Sequence, residues 1–163
     1  MYLGIDPGLR TLSWCLCDED KILEVGTVDL LRGVPKGMHK QYAWLVWNWM
    51  KNHKRLFRAE TIGIEIQMNQ KMKMVQTALQ CLGGIDRTIL IPPIRWRKYH
   101  GISKGNYRQN KKASVEKAQK LPLPSKVKKV LASKKKKDDV CEAILIAIYT
   151  RSLWWKSYEG WML

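Results

Sequence analysis

The sequence predicts an α/β protein built as a single domain. Five short apolar stretches, each bounded by turn residues, are typical of strands, and several segments between and after them repeat apolar residues with helical spacing. At 163 residues the chain is long enough for one domain with a substantial core. We therefore interpret residues 1–163 as one unit, with a strongly basic segment, 95–137, inserted before the last buried helix.

The first predicted strand ends in an acid. The opening residues are mostly apolar, Asp6 follows them, and Pro7-Gly8 stops the strand. A carboxylate on a buried strand is costly unless a cation meets it. Asp6 is therefore a candidate ligand for a bound metal, and the alternative is an aspartate that caps a turn. Two further strands are predicted at Thr11–Cys17 and Lys21–Asp29.

A second acidic strand lies near the middle of the chain. A helix predicted at His39–Arg55 comes first, with Trp44 and Trp47 off its main apolar stripe. The strand Thr61–Ile66 then carries Glu65 near its C-terminal end. Alone, such a glutamate could face solvent, but its position matches that of Asp6. A helix is predicted at 69–82 and a strand at 87–91.

The segment Asp138–Tyr149 predicts a helix that is apolar nearly all round and therefore buried. Asp139 and Glu142 stand three residues apart in its first turns, so they project from one face. Acids are also favourable at helix N-termini as caps, which is the interpretation we prefer for Asp138. The tail that follows holds Trp154, Trp155 and Trp161 and is expected to pack on the domain or on a second subunit.

Positive charge is concentrated in one segment. Of a net charge of +16, residues 95–137 contribute +15, because they hold sixteen Lys or Arg and a single acid, Glu116. Two short helices are predicted there, at Asn110–Lys120 and Ser125–Ala132. This imbalance indicates a polyanionic partner, nucleic acid rather than a membrane. A basic surface that only aids solubility is the alternative.

The sequence predicts an intracellular, non-secreted protein. The N-terminus has no signal pattern, and no apolar run reaches the roughly 18 residues that span a bilayer. The four cysteines form no C-x-x-C pair and lack zinc-ligand spacing. Cys15 and Cys17 would share one face of a strand as buried thiols.

Four acids, Asp6, Glu65, Asp139 and Glu142, therefore occupy structured positions. Hard divalent cations such as Mg²⁺ prefer oxygen ligands. Two such ions can activate a water molecule and stabilise the leaving oxygen of a phosphodiester. We expect the four acids to converge on a site of this kind.

Three acidic motifs carry a resemblance to a known family. Gly4-Ile-Asp6-Pro-Gly8-Leu-Arg, Ile64-Glu65-Ile-Gln67 and Lys137-Asp-Asp139-Val-Cys-Glu142-Ala resemble, in order and spacing, the RuvC-like Holliday-junction resolvases of the RNase H-like superfamily. The segment from Asn106 to Glu116 and the lysine run after it look closest to the poxvirus-type viral branch. The resemblance covers the chain from Met1 to about Trp155.

The resemblance implies an RNase H-like fold, in which helices flank a central mixed β-sheet. It implies a homodimer that depends on Mg²⁺, with two ions per site and Mn²⁺ as a substitute. Such a dimer nicks four-way DNA junctions symmetrically. Its role is in recombination, repair or the resolution of viral replication intermediates. Such a crossover-junction endodeoxyribonuclease has no small-molecule substrate, and a viral one would act in the host compartment where the viral DNA replicates. The fourth acid is usually aspartate in the family, so Glu142 could ligate directly or through water. The acids that match the metal ligands are Asp6, Glu65, Asp139 and Glu142, and the residues expected at nucleic acid are Lys104, Tyr107, Arg108, Lys111 and Lys112.

Three alternatives remain open. An actin-like or sugar-kinase-like ATPase also opens with Gly-Ile-Asp, but it needs two such domains and a second phosphate loop. A non-catalytic basic nucleic-acid module explains residues 95–137 and leaves Glu65, Asp139 and Glu142 as coincidences. A related nuclease with the same fold that acts on RNA or on other branched DNA is the third alternative, because composition does not distinguish DNA from RNA as the substrate.

Overall fold

The computed structural model describes residues 1–102, 105–133 and 137–160, with side chains described as far as Leu153 in the last stretch. The predicted contacts of Lys104 and of Trp154, Trp155 and Trp161 lie outside this description. The described residues form five strands: β1 (Tyr2–Asp6), β2 (Leu12–Cys17), β3 (Ile22–Val28), β4 (Thr61–Glu65) and β5 (Thr88–Ile91). They also form six α-helices: α1 (Tyr42–Asn52), α2 (Gln70–Gly83), α3 (Pro93–Tyr99), α4 (Tyr107–Gln119), α5 (Ser125–Ser133) and α6 (Lys137–Gly160).

The strands form one mixed sheet in the order β3-β2-β1-β4-β5. The β1, β2 and β3 strands are antiparallel neighbours, whereas β4 runs parallel to both β1 and β5. The α/β class and the central mixed sheet are thus confirmed. Parallel pairing has one consequence for the site, because Ile5 pairs with Ile64 and the C-terminal ends of β1 and β4 therefore lie side by side.

Each face of the sheet packs against a different set of helices. Leu3 and Ile5 point to one side, into a core that includes Leu45 and Trp49 of α1 and Leu79 of α2. The alternate residues face α6, where Tyr2, Cys15 and Cys17 join a core with α4 and α5 residues. The prediction that both thiols are buried on one face is therefore confirmed.

The α6 helix lies unusually close to the sheet. A Cβ added at Gly4 would fall on the backbone nitrogen of Ala147 and lie 2.7 Å from the carbonyl oxygen of Ala143. A Cβ added at Gly63 would fall on Thr150 Oγ1. Both glycines precede an acid by two residues on the same face of their strand. The helix can pack here because these two positions lack side chains, and its first turns consequently reach the strand ends.

The structure changes several predicted boundaries. The α3 helix follows Pro92 without the apolar periodicity that would have predicted it, and it has proline in its first turn. The α4 helix begins at Tyr107 rather than at Asn110, because the Asn106 side chain accepts a hydrogen bond from the Gln109 N–H and caps it. The predicted helix at His39–Arg55 shortens to Tyr42–Asn52, with 3₁₀ turns on both sides, and α6 continues past Tyr149 to Gly160.

No helix within the described ranges combines the length and the apolar composition needed to cross a bilayer.

Candidate active site

The strand acids lie side by side and buried. Asp6 ends β1 and Glu65 ends the neighbouring parallel strand β4, and their exposed fractions are 9% and 7%. Both are on the face of the sheet that packs against α6. Because β1 and β4 are parallel neighbours, both carboxylates lie at the same end of the sheet, where the two strands have their C-termini.

The first turns of α6 supply two more carboxylates. Oxygens of Asp6, Asp139 and Glu142 lie within 4.8 Å of one another, although these residues come from opposite ends of the chain. Glu142 is only 2% exposed. A cleft of about 430 Å³ is lined by all four predicted acids together with Pro7, Met72, Arg97, Tyr107 and Lys111. The structure thus brings the four acids into one cleft and three of them into a tight group.

Glu65 borders this group of three but is held by donors of its own. The buried indole N–H of Trp96 donates to Glu65 Oε1 at 3.0 Å, and the Gln67 side-chain amide donates to Oε2 at 3.0 Å. Each carboxylate oxygen keeps a further lone pair after these bonds. Donors of this kind commonly orient a carboxylate that ligates a metal, so the contacts are compatible with a ligand role for Glu65.

A lysine side chain neutralises part of the acidic group. Lys111 Nζ donates to Asp139 Oδ1 at 2.7 Å and to Glu142 Oε2 at 2.5 Å, and it lies 3.4 Å from Asp138 Oδ2. Its side chain is only 14% exposed. Burial alone would lower the pKa of Lys111, but Glu142 and Asp139 outweigh burial and raise the pKa above its usual value. Lys111 is therefore a charged member of the cleft.

An arginine approaches the same carboxylates from α3. Arg97 Nη2 lies 3.4 Å from Glu142 Oε1 and 3.9 Å from Glu65 Oε1. Ser114 of α4 also reaches Glu142 Oε1, at 3.4 Å. Among the described residues, the four acids thus contact two side-chain cations, Lys111 and Arg97, whereas Arg10 also lines the cleft but pairs with Asp29. The acids therefore outnumber the cations that contact them.

The pKa values of the two strand acids, Asp6 and Glu65, are raised in this crowded acidic cleft. Burial, followed by the negative charges of Glu65 and Glu142, raises the pKa of Asp6 well above its usual range. Burial and Glu142 also raise the pKa of Glu65, against the opposing hydrogen bond from Trp96. A bound cation would favour the ionised carboxylates. Clustered carboxylate oxygens with excess negative charge are the donor set that fits a hard divalent ion such as Mg²⁺.

The predicted nucleic-acid residues divide between the surface and the cleft. Tyr107 is 73% exposed, Arg108 is exposed, and Lys112 is exposed 3.9 Å from Glu116. Lys111, which the sequence groups with them, is instead drawn into the acidic group. Arg108 and Lys112 thus stand on the exposed surface of α4, and Tyr107 is exposed where that helix borders the cleft.

Sequence reasoning missed the contribution of α3. Trp96 and Arg97 contact Glu65 and Glu142, which are 31 and 45 residues away along the chain. The available signal was that they closely follow Pro92-Pro93, where the chain leaves β5 beside β4.

Comparison with solved structures identifies the fold. The fowlpox virus resolvase, solved with its substrate Holliday junction DNA, matches with a TM-score of 0.67 at 15% identity, covering 93% of this chain and 99% of its own. The yeast mitochondrial Holliday junction resolvase Ydc2 matches with a TM-score of 0.64 at 20% identity, covering 89% of this chain and 76% of its own. RuvC of T. thermophilus, solved with a Holliday junction substrate, matches with a TM-score of 0.51 at 15% identity, covering 90% and 91%. No protein-family model and no curated protein matches the sequence. The chain has the RuvC-like fold that these Holliday junction resolvases share.

Proposed function

We propose that this protein is a divalent-metal-dependent endonuclease that resolves four-way DNA junctions by paired symmetric nicks. The observation that carries the proposal is the meeting of Asp6, Asp139 and Glu142 oxygens within 4.8 Å, in a cleft shared with Glu65. The shared fold with resolvases solved on junction DNA supports the substrate. Such an enzyme acts in DNA recombination and repair or resolves viral replication intermediates. It acts inside the cell that contains this DNA.

The cleft residues have distinct roles in this proposal. Asp6, Asp139 and Glu142 hold metal directly, and Glu65 completes the ligand set in the orientation that Trp96 and Gln67 impose (two donor bonds at 3.0 Å). When bound, Mg²⁺ or Mn²⁺, at two ions per site, supplies an activated water and stabilises the leaving oxygen. Lys111 offsets the negative charge that would otherwise repel the DNA backbone.

The outer face of α4 is the proposed DNA contact. Arg108 and Lys112 are exposed along it, and Tyr107 is exposed beside the cleft. The proposal keeps Lys104, which precedes this helix in the sequence, among the residues that bind nucleic acid. Lysine and arginine bonds to phosphates position DNA without reading its sequence. A structure-selective enzyme needs this kind of contact, because it recognises the branch rather than the bases.

A homodimer is the second part of the proposal. A four-way junction has near-twofold symmetry, and one cleft can make one nick, so a C₂ dimer places two clefts on opposite strands. Apolar side chains stand exposed on α1 and α2, where Trp47, Met74 and Leu82 are 47%, 51% and 41% exposed. A largely apolar groove of about 770 Å³ separates the two helices. Exposed apolar surface of this kind commonly marks an interface.

Sedimentation at micromolar concentration tests the dimer. We expect a dimer for the wild-type protein and a concentration-dependent loss of dimer for Leu82→Glu, which places a charge on the exposed α2 surface. Ile94→Glu on α3 is the matched control, since Ile94 is 62% exposed and lies outside the groove lining. A protein that stays monomeric on a junction would refute this part of the proposal.

Cleavage of synthetic substrates tests the enzyme. The protein is incubated with Mg²⁺ and a labelled four-way junction, with linear duplex and an RNA–DNA hybrid as controls. We expect paired nicks in the junction alone, and none in EDTA. Preferential cutting of the hybrid would indicate a nuclease that acts on RNA. Binding without cutting would indicate a non-catalytic nucleic-acid module. ATP turnover would support the ATPase alternative.

A further inference from the structure

Arg97 is a cleft residue that the metal-ligand set does not explain. Its helix, α3, starts directly after β5, the strand that pairs with β4 and places Ile91 opposite Glu65. Its side chain is 19% exposed and lines the same cleft as the four acids. Arg97 therefore stands in contact with the space that the scissile phosphate would have to enter.

Most of the hydrogen-bonding capacity of Arg97 is unused. A guanidinium carries five N–H donors, but the described residues give Arg97 one hydrogen bond from its side chain, the 3.4 Å contact to Glu142 Oε1. Its Nε is buried and has no partner within the described part of the chain. A buried donor without an acceptor costs free energy and calls for an explanation.

The neighbouring carboxylates take their shortest hydrogen bonds from other donors. Trp96 and Gln67 donate to the two oxygens of Glu65, and Lys111 donates to Glu142 Oε2. Arg97 approaches the other Glu142 oxygen at the longer distance of 3.4 Å. The guanidinium also lies over the Trp96 ring, with Cζ 5.0 Å from the ring centroid, which restricts its orientation. A guanidinium that is restrained in this way and has free N–H donors is suited to bind a further anionic group through two parallel hydrogen bonds.

We propose that Arg97 is a phosphate-binding catalytic residue that donates to the non-bridging oxygens of the scissile phosphate. This inference rests on the proposed function. Lys111 and Arg97 approach Glu142 from different helices, α4 and α3, and the cleft between these helices and the strand ends is the place where the phosphate enters. Arg97 stabilises the negative charge on these oxygens as the bond to the leaving oxygen breaks.

The first test is the single-turnover cleavage rate at saturating protein and Mg²⁺. We expect Arg97→Gln to cut roughly 10- to 100-fold more slowly than wild type, the effect of losing a hydrogen bond to a charged group. Arg97→Lys keeps a cation without the fork and is expected between the two. Arg58→Gln is the matched control, because Arg58 is exposed and lies outside the cleft lining. A rate for Arg97→Gln within twofold of wild type would overturn the inference.

The second test asks whether Arg97 acts on the phosphate itself. Binding is measured with the non-cutting Asp139→Asn protein, with and without Arg97→Gln, on junctions carrying either a native phosphate or a neutral methylphosphonate at the mapped nick. We expect the neutral linkage to weaken binding several-fold only where Arg97 is present. An equal loss in both proteins would assign Arg97 a structural role and overturn the inference. If wild type nicks no junction, the proposed function itself fails; if wild type nicks and Arg97→Gln nicks equally fast, only this inference fails.

Discussion

The two faces of the sheet differ in how they are packed and in what they carry. On the α6 face, Gly4 lies against the helix backbone and Gly63 against the Thr150 side chain, and an acid follows each glycine at the strand end. On the opposite face, large side chains such as Trp14 and Trp49 separate the sheet from α1 and α2. Those two helices contain no acid and leave apolar side chains exposed. Close packing on one face therefore holds a cluster of acids in place, whereas the helices on the other face leave apolar side chains exposed.

The largest expected effect is the loss of cleavage when an acid of the α6 face is neutralised. Asp139→Asn removes one of the three grouped carboxylates, so we expect cleavage to fall by about 10³-fold or more, in keeping with a metal-dependent site. Junction binding should persist, because it rests on phosphate contacts elsewhere, and the lost negative charge should tighten it slightly.

Asp86→Asn is the control for this experiment, since Asp86 is exposed and lies outside the cleft lining. Wild-type cleavage by Asp139→Asn would show that the cleft is not the catalytic centre.

The salt dependence of binding is the next largest effect. Each phosphate neutralised on duplex DNA contributes a slope of about −0.9 in log K against log salt concentration. Four such contacts would lower affinity roughly 100-fold between 50 and 200 mM salt. Lys112→Glu on α4 should make the slope shallower by about one unit, whereas Lys51→Glu on α1 should leave it unchanged. A salt-independent affinity would place the basic segment away from the DNA.

Close packing of α6 predicts a specific stability loss. Gly4→Ala introduces a methyl group onto the Ala147 backbone, and helix backbone cannot yield as a side chain can. We expect the free energy of unfolding to fall by about 2–3 kcal/mol, measured by urea denaturation. Gly37→Ala, in the 3₁₀ turn Lys36–Met38, is the control, because nothing lies within 4 Å of the added carbon. Equal effects of the two substitutions would contradict the packing comparison.

The smallest effect is a gain in stability when a buried charge is removed. Because the pKa of Asp6 is raised in the folded protein, ionising it opposes folding, and metal-free stability falls as pH rises from near 4, the unfolded value, through the raised folded value. Asp6→Asn should therefore raise the melting temperature by about 2–4 °C at pH 7.5. The gain should vanish near pH 4 and in saturating Mg²⁺, and Asp20→Asn, at an exposed acid, should show none. A lower melting temperature for Asp6→Asn in the metal-free protein would contradict the electrostatic account.

The positions of the four acids can be predicted from local sequence, whereas the positions of residues that depend on tertiary packing cannot. Asp6 and Glu65 end short apolar strands, and Asp139 and Glu142 share a helical face, so local periodicity is enough to locate all four. The burial of Lys111 depends on how α4 packs on α6, and the adjacent lysine, Lys112, is exposed, so nothing local distinguishes the two. The α3 helix has seven residues, too few for a periodic pattern, and the hydrogen bond from Trp96 to Glu65 forms only when the sheet is assembled.

Cleavage of a supercoiled plasmid that extrudes a cruciform shows whether the protein makes paired, metal-dependent nicks in one junction. Two coordinated nicks on opposite strands of one junction convert the plasmid to a linear molecule, whereas single or independent nicks give an open circle. We expect linear plasmid as the main first product in Mg²⁺, with the cuts at symmetric positions across the cruciform, and no product in EDTA or with Asp139→Asn. Open circles alone, or cutting that persists in EDTA, would contradict this expectation.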